Sequence, residues 1–284
     1  MFAITGITGQ VGGSVARTLL AAGKSVRAVV RDQKKGEAWA RQGCEVAPAD
    51  MNDAGALSKA FAGAEGVLIL LPPIFDPAPG FPEVRAILAV LQSALTQARP
   101  ERIVGISTVG AQATSENLLT QHTLHEKVLG ELPLPITFLR PAWFMENAAW
   151  DVAPARNTGV IQSFLQPLER RIPMVATADI GRVAATLLQE RWEGRRIVEL
   201  EGPQAVSPND IATAFARLLG RSVTAQSVPR DSWEALFRAQ GMQNPLQRMR
   251  MLDGFNEGWL SFERQPLQGE VEIDTVLRGL IERG

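Results

Sequence analysis

The segment Thr5-Gly6-Ile7-Thr8-Gly9-Gln10-Val11-Gly12-Gly13 constrains the fold of this chain more than any other. It follows a short apolar run, Phe2-Ala3-Ile4-Thr5. It opens a stretch in which Val11, Val15, Leu19 and Leu20 recur at helical spacing until Gly23. Between a strand and a helix, the three glycines meet separate demands. Gly6 permits a tight turn, Gly9 lets backbone N–H groups approach a pyrophosphate, and Gly12 lets the helix pack close on the strand. The helix N-terminus then turns free N–H groups and a positive dipole end toward an anion. The alternative is a glycine-rich turn that binds nothing.

The next residues repeat the strand–helix rhythm. Ser25 to Val30 reads as a second strand, Lys34 to Gln42 as a helix ended by Gly43, and Cys44 to Ala47 as a third strand. Ala54 to Ala62 is a short helix before Gly63. Gly66 to Leu71 is a continuous apolar run of the kind buried on both faces of a parallel sheet, ended by Pro72 and Pro73. Val84 to Ala98 is an amphipathic helix, Arg102 to Ser107 a fifth strand, and Leu118 to Leu132 a helix. Ile136 to Leu139 is a sixth strand closed by Arg140-Pro141. This alternation predicts an α/β chain of Rossmann type, a doubly wound parallel sheet with right-handed crossovers.

After about residue 150 the rhythm breaks. Asp151 to Thr177 reads as loop-rich, and Asp179 to Glu190 as a helix with Asp179 near its N-terminus. Arg196 to Leu200 fits one more core strand. Ser207-Pro208-Asn209-Asp210 is a capping sequence that opens the helix Ile211 to Leu219. Val223 to Val228 alternates like a strand, and helices follow. We therefore expect a Rossmann core from 1–150 plus about 179–200, and a smaller α/β substrate lobe from 151–178 and 201–284.

Composition narrows the function classes. Hydrophobic residues make up 45% of the 284, enough for a well-filled core, and the formal net charge is −1, which gives no reason to expect nucleic acid. One cysteine, Cys44, excludes an intramolecular disulfide framework and a cysteine-based zinc cluster. No basic leader precedes the first strand and no apolar stretch reaches bilayer length, so we expect no signal peptide, no membrane span and a cytoplasmic location. There is no tyrosine, and the only histidines are His122 and His125.

The ribose end of the nucleotide is read from the residues after the second strand. An acid there holds ribose hydroxyls, whereas an arginine accommodates a 2′-phosphate. Arg31 comes first, with Asp32 behind it and Lys34 and Lys35 nearby. This order favours NADP(H), with NAD(H) as the alternative. A solvated Arg31 with no role is the simpler reading.

Several segments together resemble the NmrA-like family of atypical short-chain dehydrogenase/reductases. They are Ile4-Thr5-Gly6-Ile7-Thr8-Gly9-Gln10-Val11-Gly12, Val29-Val30-Arg31-Asp32, Ala49-Asp50-Met51 with Leu57 and Phe61-Ala62-Gly63, and Asp253-Gly254-Phe255-Asn256-Glu257-Gly258. The most specific is Leu139-Arg140-Pro141-Ala142-Trp143-Phe144-Met145-Glu146-Asn147. The resemblance implies quinone or dye reduction, or cofactor binding without turnover. It also implies cofactor contacts. Gly6, Thr8, Gly9, Gln10, Val11 and Gly12 would lie along the pyrophosphate, Arg31 near the ribose phosphate, and Asp50 and Met51 near the adenine. Leu70, Leu71 and Pro72 would flank the cofactor after the fourth strand and Ser107 and Thr108 after the fifth. Pro141, Ala142 and Phe144 would lie near the nicotinamide.

Without a tyrosine the usual Tyr-x-x-x-Lys proton relay is missing. If Lys127 took the lysine's place, Thr123 would take the tyrosine's, and a threonine hydroxyl is a far weaker acid. His122, His125, Glu126 and Lys127 cluster on one helix, so His125 or His122 is the candidate proton donor, against ordinary helix packing. Two histidines without a Cys or acidic partner at ligand spacing do not suggest a metal. Trp143, Phe144 and Asn147 either line a flat pocket beside the nicotinamide or begin a packed helix. Trp233, Phe237, Met242, Met249, Met251, Leu252, Phe255 and Trp259 give the lobe large, soft side chains suited to its own core or to a planar apolar substrate. The expected activity is NADPH-dependent hydride transfer to a quinone, dye or similar planar acceptor. The alternative is a redox sensor that binds NADP(H) and signals to a protein partner. A homodimer is compatible with either, and nucleotide-sugar epimerisation is disfavoured by the missing tyrosine.

Overall fold

The apolar runs become the strands of one sheet, and the amphipathic stretches between them cover its two faces. A computed structural model describes residues 1–284. The core begins β1 (Phe2–Ile4), α1 (Gln10–Ala21), β2 (Val26–Val30), α2 (Gln33–Ala40), β3 (Glu45–Pro48), α3 (Ala54–Phe61) and β4 (Gly66–Ile69). It continues α4 (Pro82–Ala98), β5 (Arg102–Ile106), α5 (Thr120–Leu129) and β6 (Ile136–Pro141). Then come β7 (Trp143–Phe144), α6 (Val152–Asn157), β8 (Val160–Ser163), β9 (Met174–Val175), α7 (Thr177–Gln189) and β10 (Arg195–Glu201). The chain closes with α8 (Pro208–Leu219), β11 (Thr224–Ser227), α9 (Trp233–Ala239), α10 (Leu246–Glu257), β12 (Leu267–Gln268) and α11 (Ile273–Arg283).

The main sheet runs β12-β10-β6-β5-β4-β1-β2-β3, and every pair is parallel. The chain leaves β1 toward β2 and β3 on one side, then returns to β4 on the other. The crevice between the carboxyl ends of β1 and β4 is therefore the topological switch point, where ligands bind in open α/β sheets. Side chains along β1 and β4 alternate between the two faces. Phe2, Ile4 and Leu68 pack under α1 and α7, and Ala3, Val67 and Ile69 pack under α3 and α4. Helices α1 and α7 approach closely because Gly181 has no side chain; a Cβ there would overlap Ser14. A third apolar cluster, around Phe215, Trp233, Phe237 and Leu277, fills the C-terminal lobe.

The segment read as loop-rich holds the short regular pieces α6, β8 and β9, and a 3-10 turn at Met145–Asp151 leads into it. Strand β8 pairs with β11, and β7 pairs with β9. Trp143 and Phe144 form β7 rather than starting a helix. Strands this short carry too few residues for a period of two to show. Strand β12, inside the stretch read as lobe, joins the edge of the main sheet beside β10. Ser207 caps α8 as the sequence suggests: its hydroxyl accepts from the Asp210 N–H at 3.1 Å while the Asp210 carboxylate accepts from the Ser207 N–H at 3.0 Å. Asp179, by contrast, caps nothing. Its buried carboxylate accepts the N–H groups of Glu270 and Val271, both at 2.9 Å, and ties the C-terminal segment to α7. No helix is long and apolar enough to cross a membrane.

Candidate functional site

The glycine loop has the geometry that a pyrophosphate requires. Gly6 has φ of 63°, and a side chain there would press on Leu70. A Cβ on Gly12 would overlap the Gly6 carbonyl, so α1 packs onto the turn only because residue 12 is glycine. Gly9 is the N-cap of α1 and supplies no capping side chain. The N–H groups of Gln10, Val11 and Gly12 consequently have no protein acceptor, while Thr8, Gly9 and Gln10 are exposed. Free first-turn N–H groups facing an open crevice fit a diphosphate.

At the end of β2, Arg31 is exposed and makes no hydrogen bond or ion pair. The Asp32 carboxylate is occupied: it caps α2 by accepting the Lys34 N–H at 2.9 Å. Arg31 therefore offers an unpaired cation at the ribose end, which a 2′-phosphate can meet. Asp50 accepts the backbone N–H and side-chain amide of Asn52, both at 2.9 Å, and Met51 is half-buried beside the α3 and α4 cluster.

Thr5 fixes the spacing of the crevice, a role missed in the sequence. Its buried hydroxyl donates to the Leu68 carbonyl at 2.9 Å and accepts the Leu70 N–H at 2.9 Å. Leu70 and Pro72 are half-buried and Leu71 is buried. At the end of β5, the Ser107 hydroxyl donates to Glu126 at 2.6 Å. The Pro141 carbonyl accepts the Val109 N–H at 2.9 Å. Consecutive residues of β7 diverge. Phe144 packs on the cluster that contains Ile7 and Val11, whereas Trp143 packs into the lobe, edge-to-face with Phe255 at 5.1 Å. Asn147 is exposed on the 3-10 turn. The flat pocket expected of Trp143, Phe144 and Asn147 together is thus divided, because a strand sends neighbouring side chains to opposite faces.

The surroundings of both histidines disfavour the proton-donor role expected of them. His125 is fully enclosed, its ring edge-to-face with Phe138 at 5.3 Å and against Gly105, and neither nitrogen has a partner. Burial pushes its pKa down to about 3, and that of His122 to about 4. Both rings are neutral near pH 7, and the Nδ1 of His122 is buried without a partner. The threonine–lysine alternative fares no better. The Thr123 hydroxyl donates to the Ala111 carbonyl at 2.7 Å, and Lys127 points to solvent.

Helix α5 instead delivers Glu126 to a buried ionic cluster. Arg140, 3% exposed at the side chain, donates to both Glu126 oxygens at 2.8 Å. It also pairs with Glu263, lies 3.5 Å from Glu199, and donates to Gln112 at 3.0 Å. Glu199 accepts the N–H groups of Glu263 and Arg264 at 3.1 and 2.8 Å. The cluster stitches the segment leading to β12 onto the ends of β5, β6 and β10. A charged residue in the apolar run Ile136 to Leu139-Arg140-Pro141 was the signal for it, since a buried guanidinium needs carboxylates around it. Between the loop after β5 and α10 lies an open cavity of about 440 Å³ lined by Ser115, Glu116, Arg250, Asp253, Glu257 and Trp259.

The chain is similar to known reductases over most of its length. Quinone oxidoreductase 2 of Escherichia coli is 28% identical over 251 residues, 88% of this chain and 85% of that protein. The NAD(P)H azoreductase of Xenophilus azovorans is 25% identical over 248 residues, 87% of this chain and 83% of that protein. The solved structure of an NADPH-dependent quinone oxidoreductase from E. coli, complexed with NADPH, superposes with a TM-score of 0.78 at 26% identity and covers 99% of this chain and 95% of that one. The model of the NmrA-like family matches residues 1–261, and the chain belongs to that family.

Proposed function

We propose that this chain is an NADPH-dependent oxidoreductase that reduces a planar, electron-poor acceptor such as a quinone or an azo dye. The observation that carries the reading is the crevice between β1 and β4: three unpartnered N–H groups at one end of it and an unpaired Arg31 beyond β2. Gly6, Thr8, Gly9, Gln10, Val11 and Gly12 hold the pyrophosphate. Arg31 meets the 2′-phosphate, and Asp50 and Met51 flank the adenine. Leu70, Leu71 and Pro72 flank the cofactor after β4 and Ser107 after β5, and Pro141 and Phe144 lie near the nicotinamide. The bound cofactor supplies the hydride, and the chain orients it. NAD(H) enters the same loop with weaker hold at the ribose end.

The nature of the acceptor follows from what the site lacks. No tyrosine is present, Thr123 donates to a backbone carbonyl, His125 is sealed off and His122 is uncharged. An acceptor whose reduced form takes its protons from water needs none of these groups. Quinones and azo dyes fit that requirement, and they are the acceptors named in the two relatives. The experiment is NADPH titration by tryptophan fluorescence alongside NADPH oxidation with a panel of quinones and dyes. Binding with acceptor-dependent oxidation supports the reading. Tight binding with no turnover on any acceptor replaces it with a cofactor sensor.

A further inference from the structure

The loop between β4 and α4 arches from the switch-point crevice to the C-terminal lobe, and one carboxylate makes the joint. Asp76 accepts the Gln243 N–H on one oxygen and the Asn244 N–H on the other, both at 2.7 Å. No other hydrogen bond joins residues 70–81 to the lobe. At its root the loop is fixed to its own domain. The Thr5 hydroxyl holds Leu70, the Gln121 side chain donates to the Ile74 carbonyl at 3.0 Å, and Phe81 is 1% exposed. Pro72, Pro73, Pro77 and Pro79 stiffen the span between these anchors by fixing φ. The position of the arch therefore depends on what holds its middle.

Two of the few large apolar side chains left in solvent stand beside the joint. Phe75, next to Asp76, is 64% exposed, and Leu246, two residues after Asn244, is 52% exposed. An arch rooted beside the cofactor crevice, joined to the opposite lobe and edged with exposed apolar groups is the form of an entrance for an apolar ligand.

We propose that Asp76 is a positioning residue for the acceptor: its two hydrogen bonds hold the 70–81 arch against the C-terminal lobe and set Phe75 and Leu246 as the apolar rim of the acceptor's entrance. This rests on the reading of the crevice as a reductase site. Asp76 touches neither cofactor nor acceptor, so its loss acts on the acceptor's fit. A charged acceptor on two amides is among the stronger protein hydrogen bonds, and releasing it frees both loops at once.

The test uses Asp76→Ala and Phe75→Ser in the full chain, with a bulky azo dye and a small benzoquinone as acceptors. For Asp76→Ala the dye KM should rise about tenfold or more with little change in kcat, and the benzoquinone KM should rise less. NADPH affinity by fluorescence should stay within about twofold of the parent. Amide exchange should quicken in 70–81 and 240–246 together and nowhere else. Phe75→Ser should raise the dye KM without changing exchange. Unchanged dye KM in Asp76→Ala, or kcat and NADPH affinity falling together, overturns the proposal. If the parent turns over no acceptor, the reductase reading fails by itself. The exchange measurement then decides the joint: independent behaviour of the two segments overturns it.

Discussion

Replacing His125 by leucine should stabilise the protein and leave its activity intact. The ring is fully buried beside Gly105 and Phe138, and both nitrogens lack partners. An unsatisfied buried polar group costs about 1–3 kcal/mol. Losing the edge-to-face contact with Phe138 returns about 0.5–1.5 kcal/mol of that. Leucine, apolar and similar in bulk, should leave a net gain of about 1 kcal/mol near neutral pH. For a chain of this size that is a rise of about 2–4 °C in Tm.

The pH dependence adds a second, independent readout. The folded pKa of His125 is about 3, against 6.5 for the free side chain. The unfolded chain thus binds the proton more readily, and stability falls as pH drops below 6.5 toward 3. At pH 5 the loss from this ring is about 2 kcal/mol, which is one and a half pH units at about 1.4 kcal/mol each. The leucine variant lacks it, so the gap in Tm between variant and parent should widen from pH 7.5 to pH 5. Thermal unfolding followed by circular dichroism at both pH values measures this, with NADPH oxidation on the same samples. A lower Tm at neutral pH, a constant gap, or lost turnover would refute the reasoning.

Other consequences follow from the same geometry. Gly12→Ala places a Cβ against the Gly6 carbonyl and should cost at least tenfold in NADPH affinity, read by fluorescence titration, while the far-ultraviolet circular dichroism stays native. Arg31→Glu should weaken NADPH by about ten- to a hundredfold and NADH little, since one charge-assisted bond is worth about 1.5–3 kcal/mol; equal losses would remove the ribose-phosphate role. Burial pushes Asp151 up to about 7, so its folded form holds a proton longer than the unfolded chain and stability declines as pH rises from 4 to 7. Asp151→Asn should therefore melt higher than the parent at pH 8 and match it near pH 4.

The strand–helix alternation and the glycine loop were legible because each depends on local sequence. Glycine at 6 and 12 is demanded by a turn and a close approach within a few residues, and β4 announces itself as an unbroken apolar run. The loop's role in binding follows from position alone. The long-range ties were not legible, because they join residues far apart in the chain. Arg140 meets Glu126, Glu199 and Glu263 only after β5, β6 and β10 align, and Asp76 finds its amides 167 and 168 residues away. The surroundings of the histidines were hidden for a related reason. Helical spacing places His122 near Glu126, but only the packed helix shows that Glu126 turns to Arg140 and Ser107 while His125 turns into the core. Trp143 and Phe144 share a motif yet serve different clusters, since they lie on two residues of strand that face opposite ways.

In the proposed reaction, NADPH held by the glycine loop reduces an acceptor in the β1–β4 crevice. The most direct measurement is anaerobic stoichiometry with a benzoquinone, following NADPH loss and hydroquinone gain together in the parent, Gly12→Ala and His125→Leu proteins. Equal loss and gain is expected in the parent and in His125→Leu, and both should be at least about tenfold slower in Gly12→Ala at an NADPH concentration below the parent's Kd. NADPH loss that does not depend on acceptor, or turnover that survives Gly12→Ala undiminished, would contradict the proposed reaction.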